Sequence, residues 1–278
     1  MATIARLFVY PVKGCRGIAV ERATLATTGL EVDGIGDREW VVVDEEREFL
    51  SQRELPKMAL IETRFAAGAL RLKAPGMLEL EVPFESEGDV MKVRVWNDEV
   101  AAVTQGEIAD AWLSRFLGRP ARLMRFDPEA KRLSNSRYTG ADEAPYKFAD
   151  AFALLIASEA SLDDLNRRLG QRGVAPVAIE RFRPNIVLKG VEAFEEDYID
   201  RLTLGTSELR VVKPCVRCSV PNVDPRTGEP STEPGDTLAV FRYNEQAAGV
   251  TFGMNAIVTG GAGSDVTRGQ PVEVTLAL

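Results

Sequence analysis

The sequence predicts a mainly β chain with a few helices, an α+β protein in which an N-terminal β-barrel-like domain packs on a second β-barrel domain. Three observations predict it. Short runs through the first third of the chain alternate apolar with polar residues, as in Leu70-Arg71-Leu72-Lys73 and Lys92-Val93-Arg94-Val95-Trp96. A strand with one face on a core and the other in water requires that period of two. Only two stretches carry helical periodicity, and strand-like runs resume from Asn185 onward.

Strands are expected at Ile4 to Val12, Ile18 to Leu25, Arg38 to Val43, Ala59 to Phe65, Ala69 to Lys73, Met77 to Val82 and Val90 to Trp96, punctuated by Gly76, Gly88 and Asn97-Asp98. A helix follows at Glu107 to Leu117, where Ile108, Trp112 and Phe116 share one face and Gly118 then Pro120 stop it. That stop marks a soft boundary between interleaved domains at residues 1–118 and 119–278. The polar stretch from Asp127 to Phe148 reads as a long loop lying over something, as lids do. A second helix opens at Ser158-Glu159-Ala160-Ser161 and places Leu162, Leu165 and Leu169 on one face, with Arg167 and Arg168 near its end and Gly170 after it. Further strands are expected at Asn185 to Leu188, Arg201 to Leu204, Leu209 to Val212, Leu238 to Phe241, Thr251 to Val258 and Val272 to Leu276. No internal repeat interrupts this pattern.

Composition narrows the chemistry. The 278 residues are 45% hydrophobic, enough for a substantial core. The net charge of -8 argues against a general nucleic-acid or anionic-membrane surface, either of which needs a broad basic face. No run approaches the ~20 apolar residues of a membrane helix, and the opening residues lead straight into a strand pattern, so the expectation is a cytoplasmic protein without a signal peptide. There is no histidine and there are three cysteines, Cys15, Cys215 and Cys218. Without imidazole there is no Ser/His/Asp triad, no Cys/His nucleophile pair and no His-bearing zinc or iron site. Three thiols cannot complete an all-thiolate zinc site, and they make no disulfide framework, which fits a reducing compartment.

Cys215-Val216-Arg217-Cys218 admits three readings: a dithiol pair, half of a zinc knuckle, or one soft-metal ligand beside a bystander cysteine. A thioredoxin-like pair sits at a helix start, and Pro221 and Pro225 forbid a helix here. Ligand count disfavours zinc. A plain thiol pair and a single thiolate on a cofactor-borne metal both remain open. Three basic motifs suit an anion: Tyr10-Pro11-Val12-Lys13-Gly14-Cys15-Arg16-Gly17, Gly36-Asp37-Arg38-Glu39-Trp40 and Arg181-Phe182-Arg183-Pro184-Asn185. Each one alone reads more readily as solvated surface charge. Thr259-Gly260-Gly261-Ala262-Gly263-Ser264-Asp265 is not a phosphate loop, because a strand and not a helix follows it. Phe194-Glu195-Glu196-Asp197 reads as a solvated acidic loop in preference to a divalent-cation site.

Taken together, the Tyr-Pro-Val-Lys stretch with Gly14-Cys15-Arg16-Gly17, Asp37-Arg38-Glu39-Trp40, Ser158-Glu159-Ala160-Ser161-Leu162 with Asp164-Leu165-Asn166, Phe182-Arg183-Pro184-Asn185-Ile186-Val187, and Cys215-x-Arg217-Cys218 with Val223-Asp224-Pro225-x-Thr227-Gly228 form an ordered set. The chain resembles the MOSC family, and within it the amidoxime-reducing branch and its bacterial relatives, in which an N-terminal β-barrel domain precedes a MOSC β-barrel domain. The resemblance implies a molybdenum cofactor, with Cys218 as the protein thiolate on molybdenum and Cys215 as a neighbour. It implies that Lys13, Arg38 and Arg183 grip the pterin phosphate and ring, that Gly14 offers a backbone amide, that Asp150 and Asn185 hydrogen-bond the cofactor, and that Arg217 lies beside the metal. Two departures are visible: Ala151 and Phe152 follow Asp150 where hydroxyl residues are common, and Gly14 stands where serine is common. The implied function is a molybdenum-dependent reductase of N-hydroxylated compounds or S- and N-oxides. No zinc, no iron–sulfur cluster in this chain and no pyridoxal phosphate are expected. Electrons are expected from a separate ferredoxin, cytochrome b5-like protein or flavin reductase, and neither nucleic acid nor membrane is an expected partner. Two alternatives stand beside this reading: a molybdenum cofactor carrier or sulfuration module, and a dithiol-disulfide protein.

Overall fold

The computed structural model describes residues 1–85 and 87–277. Seven strands close into a barrel in the order Leu154–Ser158, Ile186–Lys189, Ala2–Val9, Pro271–Leu276, Ile199–Leu204, Ser207–Val216 and Gly249–Gly260, and the last pairs back onto the first. Leu154–Ser158 and Ile186–Lys189 run parallel, which requires a crossover, and the helix Glu159–Gln171 lies within that connection. Ser158 caps this helix by accepting from the Ser161 amide at 3.1 Å. Leu165 and Leu169 are its fully buried leucines. Ile4, Leu7, Val9, Leu154, Ile156, Leu202, Leu209 and Ala256 belong to one buried cluster in the barrel.

The first strand therefore belongs to a barrel made almost wholly from the second half of the chain. In return Asp265–Thr267 pairs with Arg22–Ala26, so the halves exchange strands. The remainder of the N-terminal half is a four-stranded sheet (Val90–Val95, Asp98–Thr104, Arg122–Phe126, Trp40–Val43) and a three-stranded one (Glu62–Ala66, Ala69–Lys73, Leu80–Pro83). A second core of Val12, Trp40, Leu50, Met58, Leu72 and Leu113 includes residues from both.

Several elements differ from expectation. The helix Glu107–Leu117 has the expected ends, but its buried stripe is Ala109, Trp112, Leu113 and Leu117, and Ile108 is 79% exposed. A stripe one residue away satisfies the same i, i+3, i+4 spacing and includes Leu113, which the face through Ile108 leaves out. Leu238 to Phe241, expected as a strand, is the end of a helix, Gly235–Phe241, that follows Pro234. Four apolar residues are too few to separate the two periods. Residues 56–60 form a 3-10 turn beginning at Pro56, so the strand expected from Ala59 begins at Glu62. The long loop carries one helical turn, Ser136–Thr139, and Arg132 pins it by donating to Lys147 O at 2.7 Å, Ala149 O at 3.1 Å and Asp98 Oδ2 at 2.6 Å. The glycine-rich tract is a turn leading to the strand Asp265–Thr267, as expected.

The acidic run is not a solvated loop. Residues 195–198 form a 3-10 turn, and Glu196 is 1% exposed beside the start of the helix Glu159–Gln171. Its Oε2 accepts from Ser158 Oγ at 3.0 Å and Ser161 Oγ at 2.8 Å, while Oε1 has no partner. Burial pushes the Glu196 carboxyl above the ordinary glutamate value, with the serine hydroxyls acting the other way. The folded state therefore binds this proton more tightly than the unfolded state. Stability is lost as pH rises from the ordinary glutamate value through the raised one. Denaturant unfolding across that window is expected to show this slope in the wild type and to lose it in Glu196→Gln. An unchanged slope would mean that Glu196 does not titrate where its burial requires.

Candidate functional site

Where the two halves meet, a cavity of about 240 Å3 is lined by Lys13, Gly14, Arg38, Asp150, Arg183, Asn185, Arg217 and Cys218. These eight residues, from five separate stretches of sequence, share one space. Among the described residues its lining includes six cationic side chains (Lys13, Arg38, Arg53, Arg183, Lys213, Arg217) and a single carboxylate, Asp150. In a chain of net charge -8 that is a strong local inversion.

Lys13 and Gly14 lie in the turn after the first barrel strand, held by Lys13 N donating to Trp40 O at 2.8 Å. Gly14 takes a left-handed φ of 82°, a conformation a serine there would enter only with strain. Lys13 is buried and donates from Nζ to Phe148 O at 2.9 Å and Asp150 Oδ1 at 2.6 Å. Burial lowers its pKa, with Asp150 opposing and Arg38 and Arg132 adding repulsion. Asp150 also accepts from Trp96 Nε1 at 2.9 Å. Burial in the cavity would raise its carboxyl, but the Lys13 ammonium and the two hydrogen bonds win and hold it well below the usual carboxylate range. Both donors contact the same oxygen, Oδ1, of a side chain that is 70% exposed.

Arg38 forms a close ion pair with the buried Asp37 and donates from Nη1 to Asn185 Oδ1 at 3.3 Å and from Nη2 to Arg183 O at 3.1 Å. Asn185 is 1% exposed and joins the barrel strands by donating to Phe8 O at 3.2 Å and accepting from Leu155 N at 3.1 Å. Its amide therefore braces Arg38 as well as lining the cavity. Arg183 donates from Nη1 to Cys15 O at 2.6 Å, and its Nη2 is buried with no partner. Burial, reinforced by Arg38, lowers its pKa to about 10.

Ser207–Val216 delivers the thiols at its end. Cys218 is exposed at the cavity and Cys215 is half-buried. Arg217 donates from Nη1 to Cys215 Sγ at 2.9 Å and from Nη2 to Phe182 O at 2.9 Å, and its Nε is buried without a partner. The guanidinium is thus bound to the sulfur of Cys215. Cys15 is fully buried and its thiol is pushed up to about 12 by burial, against the opposing effect of Arg183, which removes it from thiolate chemistry.

The sequence reading missed the wall opposite the thiols. Trp96, 42% exposed, takes a left-handed φ of 58°, and its ring lies 5.0 Å from that of Phe49. The Arg53 guanidinium sits 4.3 Å over the Trp96 ring. Lys213, two residues before Cys215, rests 4.7 Å over Tyr138 of the long loop. The only signal for Trp96 was an aromatic residue at a strand end before Asn97-Asp98. Phe152 also lines the cavity, so the departure after Asp150 replaces a polar wall with an apolar one.

A MOSC N-terminal beta barrel domain matches residues 1–120 and a MOSC domain matches residues 143–273. Mitochondrial amidoxime-reducing component 1 of Xenopus laevis is 34% identical, over 88% of this chain and 72% of that protein. Mitochondrial amidoxime reducing component 2 of Bos taurus is 35% identical, over 87% and 73%. The solved YuaD protein of Bacillus subtilis aligns over 99% of this chain and 96% of its own at 10% identity, with a TM-score of 0.42.

Proposed function

The chain belongs to the MOSC family, alongside the amidoxime-reducing components, and from that premise we propose that it is a molybdenum-cofactor-dependent reductase of N-hydroxylated substrates. The observation that carries the proposal is the cavity itself, where a thiol meets six cations and one carboxylate. The donor set fits a pterin phosphate joined to a soft metal. Arg183 Nη2 and Arg217 Nε are buried beside the cavity without partners, and buried guanidinium hydrogens left unpaired are costly. Among the described residues no three His, Cys, Asp or Glu side chains gather into a cage, so a metal here must draw most of its ligands from a cofactor.

When bound, that cofactor supplies the electron pair: an N-hydroxyl group takes two electrons and two protons, the N–O bond breaks, and one water leaves. The protein's part follows from its own residues. Lys13, Arg38 and Arg183 meet the phosphate charge, and Gly14 adds an amide free of steric hindrance. Asp150, held ionised, accepts from pterin N–H groups, while Asn185 keeps Arg38 in place. Cys218 provides the thiolate, and Arg217, anchored on Cys215, keeps positive charge beside it. Phe49, Trp96, Phe152 and Phe182 exclude water from the apolar side of the cavity. With no histidine in the chain and Asp150 held ionised, protons reach the substrate from water or from the cofactor itself. Three thiols, one of them buried, leave this sequence without a ligand set for an iron–sulfur cluster, and the reductant in this reading is a separate electron-transfer protein.

Protein purified from hosts with and without an intact pterin pathway tests the reading. About one molybdenum per chain from the competent host, none from the other, and reduction of an amidoxime with an artificial electron donor are expected. No molybdenum from the competent host overturns the proposal. Stoichiometric molybdenum without turnover on amidoximes, hydroxylamines or N-oxides replaces it with a cofactor carrier.

A further inference from the structure

Resting on that reading of the cavity, we propose that Tyr10 is a positioning residue whose ring carries Arg38 and Arg183 in the poses that grip an anion. Both guanidiniums contact it, Arg38 at 4.4 Å and Arg183 at 4.3 Å from the ring centroid. Asp37 and the Arg183 carbonyl hold the Arg38 side of this pair, but neither is a partner for the Arg183 guanidinium. Arg183 has no carboxylate partner among the described residues, and its remaining contact is a backbone carbonyl. Both arginines also leave the backbone in the left-handed region, at φ 48° and 57°, which costs a side-chain-bearing residue and persists only where packing fixes it. The electron-rich ring face adds compensation to that of Asp37, and such compensation is strongest for cations removed from water.

The surroundings hold the ring at this point. Tyr10 is 1% exposed, its amide donates to Asp37 Oδ1 at 2.8 Å, and its carbonyl accepts from Arg38 N at 2.7 Å. Ring and ion pair are therefore fixed to the same short stretches. Gly17 reserves the space: a Cβ there would lie 2.3 Å from Tyr10 Cε1 and 2.5 Å from Cδ1. The Tyr10 hydroxyl is buried with no partner in the protein, so the side-chain contacts that the structure gives Tyr10 here are those of its ring. This gives the Tyr and the second Gly of Tyr10-Pro11-Val12-Lys13-Gly14-Cys15-Arg16-Gly17 a purpose that reading the motif as an anion holder left unexplained.

The test uses two readouts: molybdenum and pterin per chain in protein from a pterin-competent host, and titration of cofactor-free protein with inorganic pyrophosphate. Tyr10→Leu is expected to weaken pyrophosphate binding about ten- to a hundredfold and to lose cofactor during purification. Tyr10→Phe should rescue both. Gly17→Ala, which displaces the ring without altering it, should behave like the leucine variant. A double-mutant cycle separates positioning from general support: in an Arg183→Gln background, Tyr10→Leu should cost clearly less than in the wild type, because only Arg38 is left for the ring to position. Additive losses in that cycle, or failure of Phe to rescue, overturn the proposal. If the leucine variant does not fold, the cycle is run with Gly17→Ala. If wild-type protein carries no molybdenum, the functional reading fails, while the pyrophosphate cycle still decides the role of Tyr10.

Discussion

Alanine at Cys218 is expected to remove molybdenum from the purified protein and to reduce amidoxime turnover by at least about a hundredfold, the scale on which even supporting residues of a metal site act. Alanine at Cys215 is expected to keep the metal and lose about tenfold or less. The asymmetry follows from what each sulfur touches. Cys218 is exposed at the cavity and, among the described residues, its sulfur has no hydrogen-bond partner, so it is available as a ligand. Cys215 accepts from Arg217 Nη1 at 2.9 Å and is already engaged. Its removal frees Arg217, whose Nε is unpaired and whose remaining anchor is Phe182 O, so the positive charge beside Cys218 becomes less well placed. Metal analysis and turnover with an artificial donor, measured on both variants, check this. Equal loss from both, with turnover that follows thiol reduction and not molybdenum, would return the pair to dithiol chemistry.

How much of this was legible depended on how many residues a feature needs to declare itself. The helices Glu107–Leu117 and Glu159–Gln171 are long enough to show a period and carry their own stops and caps, so their existence was readable. The face of the first was misread because Ile108 and Ala109 head overlapping stripes, and volume alone favours isoleucine. Leu238 to Phe241 is too short to show any period, and what makes it helical is its place after Pro234 beside the barrel. Closure of the barrel was not visible at all: it depends on Leu154–Ser158 meeting Gly249–Gly260, a pairing no local pattern encodes. The site shows the same limit. Lys13, Arg38, Arg183 and Cys218 were legible as motifs because their flanking residues are distinctive. Glu196, buried by tertiary contact with two serines, looked like any acidic run. Trp96 and Arg53 come together only when the sheet containing Val90–Val95 folds beside the turn after Leu50.

Arg38→Gln is expected to destabilise the protein by about 3 kcal/mol or more, because it leaves a buried carboxylate without its counter-charge. Asp37 is 2% exposed, with one oxygen on the Tyr10 amide and the other on Arg38. Some relief is also expected: Arg183 loses its repulsive neighbour, so its lowered pKa moves back toward the ordinary value. Relief at Arg183, which still reaches the cavity, is smaller than the cost at Asp37, which does not reach water. Thermal unfolding should fall by roughly 6–12 °C. The companion variant Asp37→Asn with Arg38→Gln separates fold from function. An asparagine still accepts from the Tyr10 amide and no longer needs a counter-charge, so half or more of the lost stability should return. Anion binding should not return, because the guanidinium that meets the phosphate is still absent, and molybdenum content should stay low. An Arg38→Gln protein within about 0.5 kcal/mol of wild type would show that Asp37 finds another partner. A double variant with wild-type pyrophosphate affinity would show that Arg38 serves the fold alone, leaving Lys13 and Arg183 to meet the anion.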